Sequence, residues 1–318
     1  MPGGQRLLAF RVELEGGRLD RVVADALPDF SRSRVQALIR DGHVQVDGVV
    51  RKGSHRPGQG AEVTVSVPPT VAVDLTPVDL GLTILHRDSH LAVVVKPAGL
   101  VVHPAPSHHG VTLVHGLMHA LKGLSSIGGE ARPGIVHRLD KGTSGVMVVA
   151  CDDLTHRGLQ DQFADHSLDR RYLALVSGAP DLDAGTVRSN LGRHPHDRVR
   201  FASVERNGKK AVTHWTVRER LGRVTLMECR LETGRTHQVR VHLSEQGWPL
   251  LGDPVYAKGR AAPSALSGKL EGVDHQLLHA YRLAFTHPIT GEDLAFETEI
   301  PADFRGVLDV ARQLHSEG

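Results

Sequence analysis

Cysteine is almost missing from this 318-residue chain: Cys151 and Cys229 are the two present, and neither belongs to a Cys-x-x-Cys pattern. A disulfide framework is therefore not expected, and a reducing compartment, the cytoplasm, is. No apolar run approaches the roughly 20 residues that span a bilayer. The stretch Met1 to Arg11 lacks the apolar core of a signal peptide. A large excess of one charge is also lacking: 38 basic and 36 acidic residues leave a net charge of +2, so the whole-chain balance singles out no polyanionic partner. Tyrosine is scarce, at three residues. Histidine is abundant, but His115-x-x-x-His119 has no Glu after its first His, so the zincin pattern fails. Among 21 histidines, the grouping of His103, His108, His109, His115 and His119 arises by chance, and no metal is expected.

What is present is ordinary globular material, 40% apolar and 23% charged, long enough for a sizeable core and for two domains. Charge is uneven along it. Between Arg18 and Arg56 eight basic residues meet five acids, and between Arg188 and Lys210 seven meet two, local excesses of +3 and +5. Patches of this kind suit phosphate contacts, although each alone is also a common solvated face.

The densest chemistry lies in Ile135 to Ala150. Eight residues, His137 to Ser144, hold an imidazole, a guanidinium, a carboxylate, an ammonium and two hydroxyls. The valine-rich run Val146 to Ala150 that follows reads as a buried strand. On residue types alone this is either a preorganised site at a strand mouth or a solvated loop with a salt bridge.

Elsewhere the chain alternates helix and strand signals. A helical pattern opens at Leu19, and a second helix, capped by Ser31, carries Val35, Leu38 and Ile39 inward and Arg32, Arg34 and Arg40 outward. Val44 to Val46 and Val63 to Val67 alternate as strands, with a turn at Asp47-Gly48. Pro68, Pro69 and Pro77 mark an extended linker. Leu91 to Val95 is an apolar strand ending in Lys96-Pro97-Ala98-Gly99. Asp152 or Asp153 caps a helix with Leu159 and Phe163 inward, and Asp169 to Val176 reads as a strand carrying Tyr172. A strand over Val224 to Leu231 delivers Thr233-Gly234-Arg235-Thr236-His237-Gln238-Val239-Arg240, followed by Gly252-Asp253-Pro254.

The strand into Lys96-Pro97-Ala98-Gly99, His137-Arg138-Leu139-Asp140 with Thr143-Ser144-Gly145, Tyr172-Leu173-Ala174 and the Thr233 to Arg240 stretch resemble, in order, the motifs of the RluA family of pseudouridine synthases. Residues 16–68 resemble an S4 RNA-binding domain. The resemblance implies an α+β fold: a mixed, mainly antiparallel sheet flanked by helices over 81–318, a linker at 69–80 and a small α/β S4-like domain at 16–68. It implies Asp140 as the catalytic carboxylate, Arg235 as its ion-pair partner and Tyr172 as the platform that stacks on the uracil. Arg138, His137, Thr143 and Lys96 are assigned to substrate binding, Lys96 chiefly as architecture, and Arg32, Arg34 and Arg40 to RNA.

The reaction implied is conversion of uridine to pseudouridine without a cofactor, since nothing is oxidised and no group is imported. The branch most resembled, RluD-like, implies large-subunit (23S) ribosomal RNA or an assembling large subunit as partner, no membrane, and a monomer. The alternatives are the same reaction on tRNA or another RNA, a non-catalytic ribosome-assembly factor, and a retaining glycoside hydrolase. The hydrolase needs a second carboxylate that the central loop lacks.

Overall fold

Apolar residues at alternate positions build the first part of the chain. The computed structural model describes residues 6–13, 16–30, 32–68, 74–105, 108, 110–129, 131–197, 199–258 and 266–317. It divides into two compact units, 1–72 and 73–318. The first contains β1 (Arg6–Arg11), α1 (Leu19–Ala26), α2 (Arg32–Arg40), β2 (Val44–Val46), β3 (Val49–Val50) and β4 (Glu62–Val67). Its sheet runs β1-β4-β2-β3. Val44, Val46, Val63 and Val65 point from the sheet to Leu19, Val23, Val35 and Leu38 of the two helices. Asp47 (φ 49°) and Gly48 (φ 77°) both take left-handed backbone, as a two-residue hairpin turn between right-twisted strands requires. β1 lies before residue 16 and pairs with β4, so the unit starts earlier than its sequence pattern indicated. Ser31, residues 69–73 of the expected linker, and His109 lie outside the described residues. Residues 74–80, also read as linker, lie along the second unit: Val78 N–H donates to His115 O (3.1 Å), and the His115 ring meets Asp74 O (3.0 Å).

The second unit runs β5 (Thr83–Arg87), β6 (Leu91–Lys96), α3 (Leu113–Ala120), β7 (Ser144–Ala150), α4 (Asp153–Asp165), β8 (Asp169–Ser177), β9 (Ala184–Arg193), β10 (Phe201–Ser203), β11 (Lys209–Leu221), β12 (Val224–Leu231), α5 (Gln238–Glu245), α6 (Ser267–Leu270), β13 (Leu278–Thr286), β14 (Asp293–Glu297) and α7 (Ala302–Ser316). The strands form a ten-stranded mixed sheet in the order β10-β9-β11-β12-β8-β13-β7-β6-β5, with β14 added to β13. Helices flank it. Along β7, Met147 and Val149 enter a core closed by Leu113 and Leu117 of α3, while Val146 and Val148 enter one closed by Leu159 of α4. Burial on both faces explains why the sequence there is an unbroken apolar run and not an alternation. Asp152 caps α4, accepting from Thr155 N–H at 2.8 Å.

β7 and β13 make the parallel pairing at the sheet's centre, Ser144 opposite His279 and Gly145 opposite Ala280. Gly145 has φ 128°, and a Cβ there would stand 2.2 Å from Ala280 O. Only glycine allows both the backbone conformation and the strand contact. That contact anchors the loop just ahead of it, 135–143.

Candidate active site

The 135–143 loop is fixed from several sides. Leu139 is buried in the core between exposed Arg138 and half-buried Asp140, so the loop's side chains are sorted by burial. Thr143 N–H donates to Asp140 O (3.0 Å), and Gln276 donates to the Thr143 hydroxyl (2.8 Å). Lys96, fully buried at the end of β6, donates to the carbonyls of Pro97 (2.8 Å), Leu100 (2.8 Å) and Lys141 (3.1 Å). Burial pushes its pKa down to about 7, against the pull of Asp140. All three ammonium donors are thus spent on the loop framework, so Lys96 supports the site and does not line it. Thr143 lines the cavity, but its buried hydroxyl is engaged by Gln276.

Asp140 lines a cavity of about 630 Å³ together with Arg132, Arg138, Arg170, Arg235 and Arg240; among the described residues it is the single carboxylate there. Its partner is Arg240, whose Nη1 donates to Asp140 Oδ2 at 3.1 Å. This corrects the expectation for Arg235. Arg235 precedes α5, and its Nε donates to the carbonyl of Lys210 (3.0 Å). The first turn of α5 brings Arg240 to Asp140 instead. Asp253 holds Arg240 from the far side through two bonds, Nε to Oδ2 (2.8 Å) and Nη2 to Oδ1 (2.9 Å). Asp253 Oδ1 also accepts from the backbone N–H groups of Val255 (2.8 Å) and Tyr256 (3.0 Å). Side-chain exposure falls from 17% at Asp140 to 5% at Arg240 and 0% at Asp253, so the row runs from the cavity into the interior. Burial works against the charge on Arg240, but Asp253 and Asp140 overcome it and hold the guanidinium protonated.

Tyr172 stands on β8, two residues from Arg170, so both side chains share one face of the strand and both line the cavity. Burial raises the Tyr172 phenol above its ordinary value; Arg170 opposes this and Asp140 adds to it. The ring is therefore a neutral phenol. His137 accepts from Val148 N–H at Nε2 (3.1 Å) and stacks on Phe163, with ring centres 4.6 Å apart. Burial and the Arg170 guanidinium push it down to about 3, so its accepting Nε2 stays unprotonated at neutral pH. His137 thereby serves as a rigid wall.

The turn before α5 is equally tied. Gln238 Oε1 accepts from the Thr233 hydroxyl (2.7 Å) and Arg235 N–H (3.1 Å), while its Nε2 donates to Val212 O (3.0 Å) and the Thr213 hydroxyl (3.0 Å). Of the residues assigned from the sequence, Asp140, Tyr172, Arg138, His137, Thr143 and Arg235 come together around the cavity, and Lys96 lies beneath it. Arg32, Arg34 and Arg40 are exposed on α2 of the first unit. Sequence reasoning missed Arg240 and Asp253 as partners of the site, and Arg170 as part of the cavity wall. The signals were present, Arg240 five residues past Arg235 and Asp253 inside Gly252-Asp253-Pro254, but spacing does not say which arginine a helix start will face.

One carboxylate among guanidinium groups suits chemistry on a polyanion, and a small unit with arginines along an exposed helix suits the same partner. The class these features suit is an enzyme acting on a polyanion. Comparison with known proteins narrows it. Residues 90–245 match the family described as RNA pseudouridylate synthase, and residues 17–63 match the S4 domain. A protein of Aquifex aeolicus named an uncharacterized RNA pseudouridine synthase is 43% identical over 95% of this chain and 96% of its own. The ribosomal large subunit pseudouridine synthase D of Zymomonas mobilis is 46% identical over 92% of this chain and 93% of its own. Human RNA Pseudouridylate Synthase Domain Containing 4 is a solved structure of similar fold, with a TM-score of 0.57 and 29% identity, covering 72% of this chain and 93% of that one. The chain belongs to the RNA pseudouridine synthase family and is an RNA pseudouridine synthase with an N-terminal S4 domain.

Proposed function

We propose that this enzyme converts particular uridines of large-subunit ribosomal RNA to pseudouridine, with Asp140 as the catalytic residue. The observation that carries the reading is the pairing of Asp140 with Arg240 in a cavity that holds no other carboxylate among the described residues. A glycoside hydrolase of the retaining type needs a second carboxyl group near the first, and this cavity offers cations in its place. The choice of ribosomal RNA is supported by the names of relatives such as the Zymomonas mobilis protein.

The target base must first leave its stack, at a few kcal/mol, offset inside the pocket by stacking and edge contacts. Tyr172 provides the stacking face, worth roughly 1–3 kcal/mol. As a neutral phenol it serves better as a platform than as a base. Arg138, exposed at the cavity's edge, fills the place that the base vacates. The carboxylate of Asp140, held in place by Arg240, assists cleavage of the bond between N1 and C1′. The freed uracil turns, C5 bonds to C1′, the C5 proton leaves to water and N1 takes up a proton. The balance is an isomerisation, with no oxidant and no imported group. In the first unit Arg32, Arg34 and Arg40 of α2 contact RNA phosphates and add affinity without taking part in the chemistry.

The test is tritium release from ribosomal RNA labelled at C5 of uridine, comparing wild type with Asp140→Asn. Release by wild type and none by the variant is the expected result. Equal release by both would remove Asp140 from its role. No release by a wild type that still binds the RNA would favour an assembly factor.

A further inference from the structure

Arg170 is a buried charge with no counter-charge among the described residues. The residue is 7% exposed, its Nε has no hydrogen-bond partner among the described residues, and its one resolved bond runs from Nη2 to the carbonyl of Glu232 (3.2 Å). No carboxylate among the described residues pairs with it, in contrast to neighbouring Arg171, which binds Asp169 at 2.8 Å. An uncompensated buried guanidinium is unfavourable unless an anion arrives to meet it. The group is nonetheless held in place. Phe163 covers one face, 5.2 Å from Cζ, and is itself braced by the His137 stack. Gly234 lies against the other end, where a Cβ would come within 2.8 Å of Nη1. The glycine thus makes room for the guanidinium, and it brings the next residue, Arg235, to the same wall. Arg235 spends Nε on a carbonyl and adds its own positive charge to the neighbourhood of Arg170.

We propose that Arg170, with Arg235 beside it, is a preformed seat for a backbone phosphate adjoining the flipped uridine. The inference rests on the reading of this cavity as the uridine site. Arg170 and Tyr172 are alternate residues on one strand face, about 7 Å apart along β8, a span that one nucleotide covers. Tyr172 takes the base and Arg170 the phosphate. A uracil carbonyl would answer one hydrogen bond, but it would leave two like charges unneutralised, whereas a phosphodiester matches a planar fork and its cationic neighbour. Arg170 is therefore a positioning residue for the reaction: it fixes the backbone from which the base swings.

The experiment measures binding of 23S ribosomal RNA to the full-length protein over a series of salt concentrations, alongside tritium release. Each phosphate contact contributes about 0.7–0.9 to the slope of log K against log salt. Arg170→Gln is expected to lower the slope by about that amount and kcat/KM by about tenfold or more. Arg170→Lys, which retains the charge, should keep the wild-type slope. A slope unchanged in Arg170→Gln overturns the proposal, including the case where activity falls, because that pattern marks a neutral contact or a structural role. Should Arg170→Gln not fold, Arg235→Gln at the half-buried edge carries the same reading, and an unchanged slope there is equally fatal. Failure of wild type to release tritium would refute the reaction assigned to the site. The slope, read from binding alone, judges the phosphate seat independently.

Discussion

Replacing Arg240 by Met removes the cation that two carboxylates share. Asp253, with no exposed side-chain surface, would keep only the N–H groups of Val255 and Tyr256 as partners for a full negative charge. Breaking one side of a buried ion pair costs about 3–5 kcal/mol, against a total stability of about 5–15 kcal/mol. For a unit of this size the melting temperature should fall by about 6–20 °C. Activity should fall about 100-fold or more, because Asp140 loses the group that positions its carboxylate. The two effects are separable. In Arg240→Met/Asp253→Asn the orphaned charge is gone while an oxygen remains for the two N–H groups, so most of the stability returns and the activity does not. Urea unfolding and tritium release from C5-labelled ribosomal RNA are the assays. The reasoning is refuted if Arg240→Met unfolds at the wild-type midpoint, or if the double variant stays as unstable as the single one. Arg235→Ala, which loses a bond to the Lys210 carbonyl, should cost about 1 kcal/mol or less.

Stability should also depend on pH through histidines that burial keeps neutral. His137 is held down to about 3, and His242 and His279 to about 4, whereas in the unfolded chain they titrate near 6.5. Protons thus bind the unfolded state first, so their contribution is complete above pH 6.5 and is lost as pH falls toward 4 and then 3. Urea midpoints measured from pH 7.5 downward should drop below about pH 6.5, and a flat profile to pH 4.5 would contradict the burial argument. Gly145→Ala drives a Cβ to 2.2 Å from the Ala280 carbonyl at a φ of 128°, which should destabilise by about 3 kcal/mol or more. A variant that melts with wild type would mean that β7 and β13 separate freely. Substituting Gln for Arg32, Arg34 and Arg40 together should raise KM for ribosomal RNA and reduce the salt dependence of binding, with kcat retained. An unaltered KM would place the RNA elsewhere.

Much of the molecule was legible one stretch at a time. The apolar runs at Leu91 to Val95 and Val146 to Ala150 are β6 and β7, the alternation at Val63 to Val67 belongs to β4, and Asp152 caps α4. Asp140 and Tyr172 line one cavity. These features are local: burial period, capping and turn chemistry are written within a few residues of where they act. β1 was missed because an edge strand with one partner has little pattern to show, its residues lying largely exposed. The pairing of Asp140 was misjudged for a different reason. Arg235 and Arg240 are chemically identical in the sequence, and the choice between them depends on where α5 begins and on Asp253 arriving behind it. Arg170 was equally silent, since only packing reveals that a guanidinium is buried, clamped by Phe163 and left without an acid among the described residues. The sequence alone determined most of the elements, because those follow from residue type and short-range order, and its motifs carried the resemblance to the family. Tertiary structure decided which charge meets which, because ion pairing and burial depend on distances that residues 100 positions apart acquire only when the sheet closes.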